Sequence, residues 1–183
     1  MVVLAVVTVP LTGGRLLALG EVRVGWAWTL PAALAAQILV VSVAPGAPTP
    51  IPEGLHLGSY VLAGAFLAAN VRNIPGLWLM SLGGALNVLA IAVNRGTMPA
   101  SAGALVSAGL DVAEVGFANS AAVPGARLAW LGDVFAIPEG WPLSNVFSIG
   151  DVVLAVGVVV AIHGICGSKI ALRRRSHAVA PTP

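Results

Sequence analysis

From residue 152 to residue 166 the chain carries no Asp, Glu, Lys or Arg. Asp151 stands at one end of this run, and Lys169 with Arg173, Arg174 and Arg175 stands beyond the other. An apolar stretch with an acid before it and cations after it reads as a membrane-crossing helix whose cationic end is cytoplasmic. The expectation for the whole chain follows from it: an all-α integral membrane helical bundle. Composition points the same way. Hydrophobic residues make up 58% and charged residues 9%, where an ordinary globular domain has about 45–50% and about 25%. Mean hydropathy is +0.96.

Taken in order, residues 1–11 are apolar but would extend only about 17 Å as a helix, where roughly 30 Å is needed to cross. Pro10 and the pair Gly13-Gly14 end the segment, which is expected to be a thin span or a re-entrant piece. It has no basic leader and no small-residue cleavage pattern, so a removable signal peptide is not expected. Residues 12–24 read as an amphipathic surface linker. Four full spans are expected at 25–43, 55–70, 76–93 and 146–168, with Trp26, Trp28 and Trp78 at interfacial positions. Pro45, Pro48, Pro50 and Pro52 make 44–54 a non-helical loop. Residues 71–75 form a tight turn. Residues 94–145 form a long structured connection, in which 101–117 reads as a surface helix because it carries Asp111 and Glu114. Residues 1–170 are expected to be one domain and 171–183 a basic, disordered tail.

Alternation of the spans puts Arg15, Arg23, Arg72, Lys169, Arg173, Arg174 and Arg175 on one side and only Arg95 and Arg127 on the other. This bias predicts a multi-pass protein of the plasma membrane, with a cytoplasmic C-terminus and an extracytoplasmic 94–145 loop. The sequence pI near 9.3 is read as contact with anionic lipid, not nucleic acid. Expected partners are the lipid bilayer, another membrane protein or a second copy of the chain. A lone Cys166 excludes an intramolecular disulfide, and neither a metal site nor a cofactor is expected.

Polar groups within so apolar a chain need partners or a task. Gly83, Asn87 and Asn94 fall on one helical face. They read either as a packing seam with a polar clasp or as a polar wall leading to a binding site topped by Asn94-Arg95-Gly96. Asp133 and Asp151 each follow a Gly and precede a Val. They read as helix caps, or as a convergent pair in which one carboxyl keeps its proton while the other activates water. Arg95 suits a phosphate, a carboxylate, or an acid of the long loop. His163 reads as a packing residue or a proton relay. His56 is placed at a helix start and His177 in the tail. Leu131-Gly132-Asp133 and Ile149-Gly150-Asp151 are alike over too few residues to make an internal repeat. No phosphate-cradling loop, zinc cluster or serine elbow is present.

Two resemblances attach to these residues. Gly13-Gly14-Arg15-Leu16, Asn87, Asn94-Arg95-Gly96-Thr97-Met98-Pro99, Leu131-Gly132-Asp133 and Phe147-Ser148-Ile149-Gly150-Asp151 resemble a family of small bacterial, largely actinobacterial, membrane proteins of unknown function. That likeness implies a five-segment membrane protein and no activity. More distantly, Asn145-Val146-Phe147-Ser148-Ile149-Gly150-Asp151, Asp133 before Pro138 and Trp141, and Gly83-Gly84-Ala85-Leu86-Asn87 are similar to lipoprotein signal peptidase. This second likeness implies a catalytic pair of Asp133 and Asp151. The Asp-Arg pair which that family carries after its Asn is absent here, where position 90 is Ala.

Three functions are thus expected. The first is a non-enzymatic membrane component that binds a partner or lipid through its polar rim and loop. The second is an aspartyl hydrolase using Asp133 and Asp151, with Asn87 or Asn94 orienting substrate. The third is an oligomeric small-solute permease using the Asn87 and Asn94 face.

Overall fold

A glycine ladder decides how the two central helices meet. Gly150, Gly157 and Gly164 recur every seven residues along α6 (Ile149–Ile165). Each faces α4 (Leu77–Val93) or the turn before it: Gly150 lies against Asn87, Gly157 against Met80 and Gly164 against Pro75. Gly83 answers from α4, where an added Cβ would sit 2.5 Å from the Gly150 carbonyl oxygen and 2.7 Å from the Leu154 nitrogen. Gly76, held at φ +73 where L side chains are strained, approaches the Gly157 carbonyl in the same way. Missing side chains let the two backbones come together, and among the described residues the α4–α6 pair is the most extensive packing.

The computed structural model describes residues 2–39, 51–95, 97–110 and 120–170. Around the central pair stand α1 (Val2–Leu11), α2 (Thr29–Ile38), α3 (Ile51–Asn70) and the short α5 (Ala102–Ser107). Two small sheets lie in the connection between α4 and α6. Strand β1 (Met98–Pro99) pairs in parallel with β2 (Ser120–Ala121), and β3 (Asp133–Ile137) pairs antiparallel with β4 (Asn145–Ser148). The second register sets Asp133 opposite Ser148 and Phe135 opposite Phe147, with an irregularity between Asp133 and Phe135. The two Phe rings stack at 5.4 Å, a cross-strand pair of the kind that fixes register. Among the described residues, three small apolar clusters complete the core. Ala5 and Val9 of α1 meet Ile162 and Cys166. Ala104, Leu105 and Ala108 meet Val146. Ala90 meets Met98 and Leu131.

The expected all-α membrane-spanning bundle is corrected by this architecture. Among the described residues no helix is long and apolar enough to cross a membrane. Helices α4 and α6 have 17 residues each, about 25 Å at 1.5 Å per residue, against a hydrocarbon core of roughly 30 Å. Helix α3 reaches 20 residues, but Glu53, His56, Ser59, Tyr60 and Asn70 keep its hydropathy low. Helix α2 is described over 10 residues. The multi-pass plasma-membrane placement, with a cytoplasmic C-terminus and an extracytoplasmic 94–145 loop, loses its basis with the spans. The antiparallel β3–β4 pair also sets the fold apart from an all-helical one.

The physical reason lies at the ends of the apolar runs. The run 146–168 is not one helix: 146–148 belong to β4, Ser148 caps α6, and the chain turns at Cys166–Gly167. The run 25–43 opens with a turn over 25–28 before α2 begins. Helix α3 starts at Ile51, earlier than the proline-rich loop was expected to end, because Pro52 in a first turn lacks only an N–H that would have no helical partner there. Of the expected 101–117 surface helix, α5 covers the first part, with Ser101 as its N-cap; residues 111–119, with Asp111 and Glu114, lie outside the described residues. So do the proline-rich 40–50, Gly96, and the tail 171–183 with its arginines and His177.

Candidate functional site

The polar residues singled out in the sequence gather where β4 runs into α6. Ser148 leaves the strand with φ −100 and ψ 172 and becomes the N-cap of α6. Its Oγ accepts the Asp151 backbone N–H at 3.0 Å, and Asp151 Oδ2 accepts the Ser148 backbone N–H at 2.9 Å. This is a reciprocal capping box, in which two amides without helical partners are satisfied at once. The carboxylate also lies where the helix dipole favours negative charge.

Helix α4 locks onto this cap. Asn87 Nδ2 donates to Asp151 Oδ1 at 2.8 Å, and Asn87 Oδ1 accepts from Ser148 Oγ at 2.8 Å. Only this amide orientation serves, because a carboxylate needs a donor. Both oxygens of Asp151 are therefore engaged, and Ser148 is fully buried. Asp133 enters from the other side. It opens strand β3, not a helix, is buried, and its carbonyl accepts the Ser101 N–H at 3.0 Å. The structure thus brings both aspartates to Ser148, Asp133 as its ladder partner and Asp151 as its capping partner.

Asn94 and Arg95 stand apart from that cluster. Asn94, just past the end of α4, accepts the Arg127 N–H at 2.9 Å and donates to the Arg127 carbonyl at 2.8 Å. Its amide also donates to the Ala90 carbonyl of its own helix. Arg95 follows at φ +59 and is exposed. A shallow, largely apolar cleft of 310 Å³ lies nearby, walled by Pro99, Ser101, Val123, Trp130 and Val134.

Several contacts escaped sequence reading. Ser148 is the hub of the cluster, and its signal was the Ser148-x-x-Asp151 spacing of a capping box. His163 is buried and lies 2.7 Å from Ser168 Oγ through Nδ1 and 3.2 Å from Thr8 Oγ1 through Nε2. Thr8 already donates to the Leu4 carbonyl at 2.8 Å, so it accepts from Nε2–H, and Nδ1 accepts from Ser168. The ring thereby ties α1 to the end of α6. Asn70, at the end of α3, bonds both the N–H and the carbonyl of Gly25 at 2.8 Å. Cys166 is buried, and desolvation raises its thiol above the ordinary value. A thiol so held is a packing group, not a nucleophile. Among the described residues no three His, Cys, Asp or Glu side chains gather to hold a metal. The His56 side chain is outside the described set.

Comparison with known proteins bears on the same stretch. The sequence profile of a family of unknown function, DUF5317, matches residues 21–163, from the second apolar run through the capped helix α6. The chain belongs to this family. An uncharacterized protein of Thermotoga maritima is 32% identical to it over 102 residues. That match covers 56% of this chain and 58% of the relative, so the DUF5317 chain spans a little over half the length of that relative. No solved structure matches. Neither comparison extends the resemblance to lipoprotein signal peptidase or to actinobacterial proteins in particular.

Proposed function

We propose that this DUF5317 protein is a non-enzymatic binding component whose ligand is a lipid surface. One observation carries the reading. The protein has five tryptophans, and all of them are exposed, from 56% for Trp78 to 69% for Trp141. Tryptophan is ordinarily among the more deeply buried residues. Its flat apolar body with a single N–H donor suits a boundary between apolar and wet surroundings. Aliphatic side chains a few residues from these rings in the chain are exposed as well, including Leu30 and Leu34 of α2 and Leu82 of α4. The formal charge of +2 favours an anionic surface.

The polar cluster supports the non-enzymatic side of the reading. Asn87, Ser148 and Asp151 satisfy one another, and among the described residues no buried side-chain N or O lacks a partner. A carboxylate serving as a base would have to leave its cap first. Cosedimentation of the full chain with vesicles tests the proposal. Binding to vesicles containing phosphatidylglycerol, and weaker binding to phosphatidylcholine alone, is the expected result. A chain that stays in the supernatant with both overturns it.

A further inference from the structure

Two segments far apart in the chain are built alike. Each begins at a residue whose N–H and carbonyl are both held by an asparagine at the end of a helix: Gly25 by Asn70 and Arg127 by Asn94. Both asparagines also donate to the carbonyl four residues back in their own helix, Phe66 and Ala90. The next residue is left-handed although it is not glycine, Trp26 at φ +53 and Leu128 at φ +50. Then come an alanine and an exposed tryptophan, Ala27-Trp28 and Ala129-Trp130, with the indoles 63% and 61% exposed. Each turn closes on a buried residue whose N–H returns to the carbonyl of the left-handed one. Thr29 bonds Trp26 at 2.9 Å, and Leu131 bonds Leu128 at 2.8 Å.

A left-handed conformation is strained for a bulky L residue and persists only where its surroundings enforce it. Here the side-chain amide holds the preceding residue at both its N–H and its carbonyl, and so fixes the peptides on either side of it. Two independent helix ends have arrived at one hydrogen-bond set, one backbone twist and one Ala-Trp presentation. Packing alone gives no reason for this, because in both cases the presented ring faces away from the core. An exposed arginine accompanies each ring, Arg23 before the first turn and Arg127 within the second. An exposed indole with an exposed guanidinium three to five residues away in the chain suits the boundary of an anionic lipid surface, where rings favour headgroup level and cations favour phosphate.

We infer that Asn70 and Asn94 are positioning residues for two equivalent lipid-contact points, Trp28 with Arg23 and Trp130 with Arg127. The inference rests on the lipid-binding reading and adds to it where contact is made and what holds it ready. Rigid presentation lowers the ordering cost of binding, so the clamps matter to affinity as well as to stability.

The experiment uses full-length chains and vesicles of equal parts phosphatidylcholine and phosphatidylglycerol. Trp28→Ala and Trp130→Ala, at exposed positions, are expected to leave Tm unchanged and each to weaken vesicle binding about three- to tenfold. Trp78→Ala, outside either turn, is expected to bind more nearly like the parent. In chains keeping only Trp28 or only Trp130, Asn70→Asp should raise acrylamide quenching of Trp28 alone, and Asn94→Asp that of Trp130 alone. Equal binding by all three tryptophan variants overturns the assignment of contact points. Quenching that ignores which asparagine is changed overturns the clamps. If the parent binds no vesicles, the lipid reading fails while the quenching arm still judges the paired clamps by themselves.

Discussion

Asn87 and Asp151 meet at 2.8 Å across the α4–α6 seam, amide to carboxylate. The contact is possible because Gly150 has no side chain, since an added Cβ there would fall on Asn87 Oδ1. A backbone feature of one helix thus admits a polar side chain from the other. The outcome is a cap shared between two helices.

Removing that shared contact should cost stability. Asn87→Ala leaves Ser148 Oγ and Asp151 Oδ1 each short of one partner, and a loss of about 1–3 kcal/mol is expected. Asn87→Leu, similar in size but without polar atoms, should lose at least as much. Urea denaturation followed by circular dichroism measures both. A midpoint unchanged in Asn87→Ala contradicts the shared cap.

The glycines separate into two kinds. Gly83→Ala must push against the backbone of α6 at 2.5 Å and is expected to destabilise by about 1–3 kcal/mol. Its neighbour Gly84 meets nothing within 4 Å, so Gly84→Ala should stabilise by about 0.5–1 kcal/mol through helix propensity. Opposite signs at adjacent residues, measured by thermal unfolding, are the expected outcome. Equal effects contradict the close approach of α4 and α6.

His163 bridges two hydroxyls from elements far apart in the chain, Thr8 and Ser168. His163→Phe keeps an aromatic ring and removes both bonds, leaving the buried Ser168 hydroxyl and the half-buried Thr8 hydroxyl with fewer partners, and should cost about 1–3 kcal/mol. Thr8→Val should account for part of that loss, and a double-mutant cycle should show the two positions coupled. Strict additivity of the two changes contradicts the bridge.

Burial raises the Cys166 thiol above its ordinary value of 9.0. A raised value means the folded chain holds this proton more tightly than the unfolded chain does. The stability tied to it is present below pH 9.0 and is lost as pH rises through the folded value. Cys166→Ala should therefore flatten part of the alkaline decline in stability. Iodoacetamide should also react more slowly with the native chain than with the chain in urea. Equal alkylation rates contradict the buried thiol.

How much of this was legible in the sequence differs from element to element. The helix Leu77–Val93 falls within one residue of the apolar run 76–93, because Pro75 and Gly76 before it and Asn94 after it punctuate the chain. Residues 2–11 form α1, which runs through Pro10 to Leu11 and stops before the left-handed Gly13. Hydropathy misled at 146–168, where it does not distinguish an apolar strand from an apolar helix. Ser148-x-x-Asp151 marked the true boundary, but the apolar residues around it drew the reading past it. In the site, the shared face of Gly83 and Asn87 was visible from helical spacing. The joining of Asn94 to Arg127 and of Asn70 to Gly25 was not, since each links residues more than thirty positions apart. The left-handed turns at Trp26 and Leu128 had no glycine to announce them.

Brominated lipid reports contact between indole and bilayer, because bromine quenches only an indole in contact with it. The full-length chain would be titrated with vesicles of phosphatidylglycerol and dibrominated phosphatidylcholine while tryptophan emission is followed. Quenching is expected to saturate with lipid, to shrink in Trp28→Ala and Trp130→Ala, and to weaken as salt is added. Emission that stays constant through the titration, with the chain folded and monomeric throughout, would contradict the lipid reading.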